Sequence, residues 1–242
     1  MKDNALAYYT DKNIEIHYWL REDITENNIK ALCYVDYAIN HLLAVKGIPQ
    51  LLHDIALIEK PDNNGKGKYY NALTEFFGIY FVHNVLKLTI SEVQSNRNRI
   101  LSPHRRRKDT SCDIKATDSL RDYYFEIKDS TSQITSSEIK NGIEYFTPVF
   151  EDDAFRWILD QCKKADQKGA NYLLCRVPVW NYRADDKDFF FKWLSNEFQI
   201  TDRPSDNEVV ITLPFQTSKS FEGIYIIKPY GHMKLQFKRE MF

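Results

Sequence analysis

Ser111-Cys-Asp-Ile-Lys-Ala-Thr-Asp-Ser-Leu-Arg-Asp-Tyr-Tyr-Phe-Glu-Ile-Lys128 is the stretch on which the fold turns. Side chains alternate across a strand, so Cys112, Ile114 and Ala116 share one face and Ser111, Asp113 and Lys115 the other. Beyond Asp118-Ser-Leu-Arg121, Tyr123, Phe125 and Ile127 oppose Asp122, Tyr124, Glu126 and Lys128 in the same way. Two strands, each with an apolar and a polar side, predict an antiparallel hairpin over 111–117 and 122–128. With 118–121 as the loop, Thr117 pairs with Asp122 and Asp113 falls opposite Glu126. Directly opposed Cβ atoms lie about 5 Å apart, where like charges destabilise a sheet unless something sits between them. A hard divalent cation, Mg²⁺ or Mn²⁺, suits two carboxylates. Lys128, on the same face, is placed to hold or polarise a water.

Upstream, residues 69–86 are apolar almost all round, including Leu73, Phe76, Phe77, Ile79 and Val82, which predicts a buried helix. Glu75 is the one acid in its middle, costly to bury unless paired or bound to a metal. Residues 88–93 read as a strand. Downstream, Ala154, Phe155, Ile158, Leu159, Cys162 and Ala165 mark one helix face, Gly169 ends that helix, and 170–179 reads as a strand. A helix over 185–198 and short strands near 209–213, 223–227 and 234–238 follow. The order is α, β, β, β, α, β with β-rich additions at the C-terminal end.

The first 60 residues read as helical. One helix is capped at Asp23 or Thr25 and carries Ile29, Leu32, Val35, Ile39 and Leu42 on one face. It stops at Gly47 and Pro49, and a shorter one covers 51–58. Pro61-Asp-Asn-Asn-Gly-Lys-Gly-Lys68 reads as the clearest loop. It sets a helical segment over 1–60 apart from a main domain over 69–242.

Asp113, followed after twelve residues by Glu126-Ile127-Lys128, with helices before and after the strands, resembles the PD-(D/E)xK nuclease superfamily, over residues 70–178. The resemblance implies an α/β fold with a restriction-endonuclease-like αβββαβ core around a central mixed sheet. It implies a Mg²⁺ (or Mn²⁺) ion on Asp113, Glu126 and the carbonyl of Ile127, with Lys128 assisting the attacking water or the phosphate. Glu75 matches the glutamate that many members carry on the helix before the sheet. The proline before the family's Asp is replaced here by Cys112. Gln133, in the polar stretch after Lys128, matches a position some relatives use near the metal.

Acid-x-Lys spacing recurs by chance, so context decides. Asp166/Lys168 and Asp185/Lys187 fall at a helix end and a helix start and read as solvated faces. Glu138/Lys140 follows Thr135-Ser-Ser and reads as a first helical turn. Between the first two sheet strands, Arg97, Arg99, Arg105, Arg106, Arg107 and Lys108 form a basic run without an acid. That run is placed to contact phosphates flanking a cut.

The whole chain of 242 residues has Lys+Arg 33 against Asp+Glu 34, which excludes a globally basic nucleic-acid coat but not this local one. With 43% apolar residues it is not a disordered chain. Scattered cysteines and a start without a continuous apolar run predict reduced thiols and a cytoplasmic location without a membrane span. The expected activity is metal-dependent endonucleolytic hydrolysis of DNA, with restriction or antiviral defence as the role by analogy. A homodimer or a defence-system protein is the expected protein partner. Two other classes stay open: a catalytically silent nucleic-acid-binding module, and a partner-dependent subunit of a defence complex.

Overall fold

The computed structural model describes residues 2–26, 29–58, 63–94, 112–129, 135–140, 143–148, 151–176, 199–205, 207–228 and 231–237. The chain is α/β and falls into two compact units, Met1–Tyr124 and Phe125–Phe242, that part inside one strand.

The first unit opens with helices α1 (Lys2–Asp11), α2 (Tyr18–Glu26), α3 (Ile29–His41) and α4 (Ile48–Ala56). Asp23 and Thr25 lie inside α2 rather than capping α3. The buried Leu20 and Ile24 form the apolar side of α2 between its polar residues, and the Tyr69 hydroxyl donates to Asp23 Oδ2 at 2.5 Å. Gly47, at φ +94°, precedes α4 and Pro49 occupies its first turn, where a missing N–H costs nothing. Ile48, Leu51, Leu52 and Ile55 are buried from α4, and the Tyr9 hydroxyl of α1 donates to the Leu52 carbonyl at 3.0 Å.

Helix α5 (Asn63–Tyr80) starts six residues before the expected Tyr69, so most of the expected 61–68 loop is helical. Gly65 and Gly67 cost roughly 1 kcal/mol each relative to Ala. Burying Tyr69, Leu73, Phe76 and Ile79 outweighs that, at roughly 1.5–3 kcal/mol per large apolar side chain. The helix is not buried all round, for Tyr70 is 45% exposed. It widens into a π-turn at Phe81–Val85. Strands β1 (Thr89–Val93) and β2 (Ile114–Thr117) pair antiparallel, with Ile90 opposite Ala116 and Val93 opposite Ile114.

Strand β3 (Asp122–Asp129) crosses the division between the units. The second unit then adds the hairpin β4 (Thr135–Lys140) and β5 (Ile143–Pro148), helix α6 (Glu151–Gln167), β6 (Tyr172–Arg176), β7 (Gln199–Ser205), β8 (Glu208–Thr212), β9 (Gly223–Lys228) and β10 (Gly231–Phe237). Its mixed sheet runs β3-β6-β9-β10-β8-β7. Strands β3, β6 and β9 are mutually parallel, β9 and β10 antiparallel, β10 and β8 parallel, and β8 and β7 antiparallel. Buried on both faces, β6 reads as the continuous run Tyr172, Leu173, Leu174, Cys175 that parallel sheets favour. Ile158, Cys162 and Ala165 form the buried stripe of α6.

Glu138 and Lys140 lie on strand β4, not on a helical turn. Ile139, Ile143, Tyr145, Phe146 and Thr147 supply the β-branched and aromatic residues that favour a pleated pair, and Glu138 pairs with Tyr145. The expected helix over 185–198 lies outside the described residues. Among the described residues no helix is long and apolar enough to cross a membrane, and none of the four cysteines is in a disulfide.

Candidate functional site

The turn after β2 is built on Asp118. Its Oδ1 accepts from the backbone amides of Leu120 at 2.7 Å and Arg121 at 2.9 Å, and its Oδ2 from the Tyr123 hydroxyl at 2.8 Å. These donors, the Arg121 amide foremost, hold the Asp118 carboxyl below the ordinary aspartate range. The Asp118 amide donates to the Arg121 carbonyl at 3.3 Å, which closes the 118–121 loop expected from the sequence. Lys115 pairs with Asp122 across the turn at 2.7 Å.

Asp113 stands at the bend just before β2, only 4% exposed, and its carbonyl accepts from the Gln94 amide at 2.9 Å. Glu75, on α5, is buried as its apolar surroundings in sequence imply. Both belong to the first unit, and Glu126, Ile127 and Lys128 to the second.

Glu126 is fully buried, although alternation alone puts it on a polar face. Two contacts cover it within its own unit: β3 pairs with β6 at Glu126–Leu173, and the Lys168 ammonium closes on its carboxylate. Its Oε1 receives the ammonium of Lys128 at 2.5 Å and that of Lys168 at the same distance. Its Oε2 has no hydrogen-bond partner among the described residues. A buried carboxylate is tolerable only when paired, and here two lysines meet one oxygen while the other keeps its lone pairs unused.

Lys168 was not expected in this place; the acid-x-Lys pair Asp166/Lys168 reads in sequence as a solvated helix end. The end of α6 is a turn of a particular kind. Ala170 N donates to Ala165 O at 3.0 Å, Gly169 N to Asp166 O at 2.9 Å, and Gly169 takes φ +80°. This is a Schellman closure, and it reverses the chain at the entry to β6, beside β3. Lys168, the residue before the left-handed glycine, is thereby held over Glu126. Asp166 instead accepts from the Ser218 amide at 3.0 Å and from the Ser218 hydroxyl. The signal in sequence was Gly169 itself, a helix stop next to the strand that pairs with the Glu126 strand.

The basic run Arg97, Arg99, Arg105, Arg106, Arg107 and Lys108, with Gln133, lies outside the described residues. Elsewhere, the Tyr37 hydroxyl and His83 Nδ1 share a hydrogen bond of 2.6 Å, and burial holds the His83 imidazole below its ordinary pKa. Burial also pushes the Cys162 thiol well up, which makes it a core residue rather than a nucleophile.

Among the described residues no group of three or more His, Cys, Asp and Glu side chains gathers to hold a metal. Mg²⁺ asks for less, since it keeps several waters and takes one or two carboxylates. Among the described residues, Glu126 Oε2 is a carboxylate oxygen without a hydrogen-bond partner and so one that could serve as such a ligand. Compared with protein-family models, curated proteins and solved structures, the chain matches none.

Proposed function

We propose that this chain is a metal-dependent endonuclease that hydrolyses phosphodiester bonds in DNA, serving in restriction or antiviral defence. The observation that carries the reading is Glu126: fully buried on a sheet strand, one oxygen against Lys128 of the same Glu-x-Lys run, the other without a hydrogen-bond partner. Evolution of a merely solvated edge hairpin has no need of a carboxylate that costs this much to bury. The succession α5, β1, β2, β3, α6, β6 also fits the αβββαβ order that the resemblance implies, with β4–β5 as an insertion.

Asp113, Glu126 and the Ile127 carbonyl are the groups proposed to hold Mg²⁺ or Mn²⁺. A bound divalent ion lowers the pKa of a coordinated water and offsets charge gathering on the phosphoryl oxygens. Glu126 supplies the fixed negative charge for this from a place that excludes water, so its orientation needs no reorganisation. Lys128 donates to the water or to the phosphate oxygen on which charge develops. Glu75 is the further acid that the resemblance assigns to such a site.

Cleavage of plasmid and single-stranded DNA with Mg²⁺, Mn²⁺ or EDTA tests the reading, with wild type beside folded Asp113→Ala, Glu126→Ala and Lys128→Ala. Metal-dependent nicking that all three variants lose is the expected result. Activity that survives in all three overturns it. A folded wild type that binds DNA without cutting replaces it by the silent binding module or the partner-dependent subunit.

A further inference from the structure

Where α3 and the π-turn after α5 end, hydrogen-bond donors gather without acceptors to match. The Tyr37 ring packs against the rings of His41 at 4.7 Å, Tyr80 at 4.9 Å and His83 at 5.9 Å. Its hydroxyl meets His83 Nδ1 at 2.6 Å. Burial, with Tyr80 adding to it, raises the Tyr37 phenol above its ordinary range, so it keeps its proton and donates it. The ring proton of neutral His83 then sits on Nε2, a donor with no acceptor among the described residues. Asn84 Nδ2 donates to the Tyr80 hydroxyl at 2.8 Å, which leaves that hydroxyl's own proton unspent. Lys87 Nζ stands 3.5 Å from Asn84 Oδ1. His41 is exposed, and Tyr80 and His83 are partly so.

Two backbone irregularities hold these groups. The helix widens at Phe81–Val85, and Lys87 takes φ +58°, a left-handed conformation that costs any residue with a Cβ. Such departures cluster at functional sites. Among the described residues no carboxylate joins the cluster. The charged groups that act on His83 are His41 and Lys87, and Glu92 of the neighbouring β1 pairs with Lys46 at 2.7 Å. The Lys87 ammonium opposes a metal cation on these imidazoles. The two helix ends supply about half a negative charge each, less than two protonated imidazoles and an ammonium bring.

Independently of the nuclease reading, we propose that this cluster is an anion site that takes a phosphate group, with His83 Nε2, the Tyr80 hydroxyl, His41 and the Lys87 ammonium as its donors. Hydrogen bonds from charged donors to phosphate are the strong ones, and lysine serves phosphate as a mobile point charge. Tyr37 is a positioning residue: its bond to Nδ1 fixes the tautomer that presents Nε2–H. A phosphorylated small molecule and a nucleic-acid backbone share this chemistry.

NMR of the imidazole C–H groups in the full chain reads the site. Inorganic phosphate, at an ionic strength held constant with chloride, is expected to move the His41 and His83 signals saturably while His53 on α4 stays. It is expected to raise the His83 titration midpoint, since a bound anion favours the imidazolium. Lys87→Gly removes one donor and relieves the left-handed strain, so it keeps the fold, and is expected to weaken phosphate binding several-fold. A short DNA duplex in EDTA is the second arm. Saturation by phosphate with the duplex inert assigns the site to a small phosphorylated ligand, and saturation by the duplex at lower concentration assigns it to a nucleic-acid backbone. His41 and His83 signals that answer neither probe overturn the proposal, as does an equal response in wild type, Lys87→Gly and Tyr80→Phe. Either result leaves the nuclease reading standing.

Discussion

Two buried carboxylates, one in each unit, show how differently the same group can be used. Asp36 on α3 is 3% exposed, and neither of its oxygens has a hydrogen-bond partner among the described residues. The backbone of Ala5 faces it without forming a bond of ordinary geometry, and burial drives its carboxyl above the usual range. Glu126 on β3 is buried at least as deeply but carries two ammonium groups on one oxygen. Burial raises the carboxyl of Asp36, whereas Glu126 has two ammonium groups within ion-pair distance. Glu126 is a buried, paired carboxylate with one oxygen that has no hydrogen-bond partner among the described residues. A buried acid held toward its neutral form is a stability cost with no charge to offer.

The largest way to break this contrast is Glu126→Ala. Removing one partner of a buried ion pair leaves charge uncompensated and costs roughly 3–5 kcal/mol, and here two lysines are left. Urea unfolding is expected to show a loss of that size, and nuclease assays the disappearance of cleavage. Glu126→Gln keeps the shape and is expected to lose less stability but the same activity. A Glu126→Gln variant as active as wild type removes the distinction between the two carboxylates.

How much of this was legible in the residues follows from which forces are local. The hairpin was readable because alternation and the 118–121 turn chemistry are encoded within a few residues. Glu126 was readable as a candidate from the same register. Its complete burial was not, since that depends on β6 pairing with β3 across more than forty residues of chain. Lys168 was hidden for the same reason: its helix-end context suggests solvent, and only the Schellman turn brings it back over β3. Helix α5 was placed by its run of apolar residues, yet its start was missed because Gly65 and Gly67 are local signals that packing overrides. Glu138 was misread in the opposite direction. A serine-rich capping signal yielded to the strand-forming residues of β5.

A sharper comparison lies in two glycines, both with positive φ, one in each unit. A Cβ on Gly47 falls 1.8 Å from the Val93 carbonyl oxygen, a clash with backbone that cannot rotate away; a Cβ on Gly169 meets nothing within 4 Å. Gly169→Ala is therefore expected to cost only the left-handed strain, about 1–2 kcal/mol. Gly47→Ala adds displacement of β1 and is expected to exceed about 2 kcal/mol. Thermal unfolding of the two variants ranks them, and equal losses would show that the clash at Gly47 is relieved elsewhere. Gly169→Ala carries a second consequence, since any shift of the turn moves the Lys168 ammonium relative to Glu126.

Asp36→Asn probes the unfavourable carboxylate. Replacing a buried carboxyl whose oxygens have no hydrogen-bond partner among the described residues is expected to stabilise the protein by about 1 kcal/mol. The pH dependence fixes the cause. The folded carboxyl is raised above its unfolded value of about 3.9, so between the two the folded state binds more protons. Stability then falls as pH rises through that window. Unfolding free energies across the acid range are expected to show this slope in wild type and its absence in Asp36→Asn. A variant that keeps the slope locates it in another group.

Asp118 gives the smallest effect and the opposite sign. Three donors converge on its carboxylate, two of them backbone amides, and they lower its pKa in the folded state. Its contribution is present above the unfolded value of about 3.9 and is lost as pH falls through the lower folded one. Because the side chain faces water, screening keeps the stability change small. The structural consequence is easier to see than the energy. Protonation removes acceptor strength from the Leu120 and Arg121 amides, so their NMR shifts are expected to titrate together with a midpoint below that of an ordinary aspartate. Asp118→Asn abolishes that titration and loosens the turn that leads into β3. Were the two amides to titrate at the ordinary value instead, the turn would be held chiefly by the Asp118–Arg121 backbone bond and the Thr117 hydroxyl, which donates to the Arg121 carbonyl at 3.0 Å. The register from Thr117 to Asp122 would then rest on strand pairing rather than on the loop.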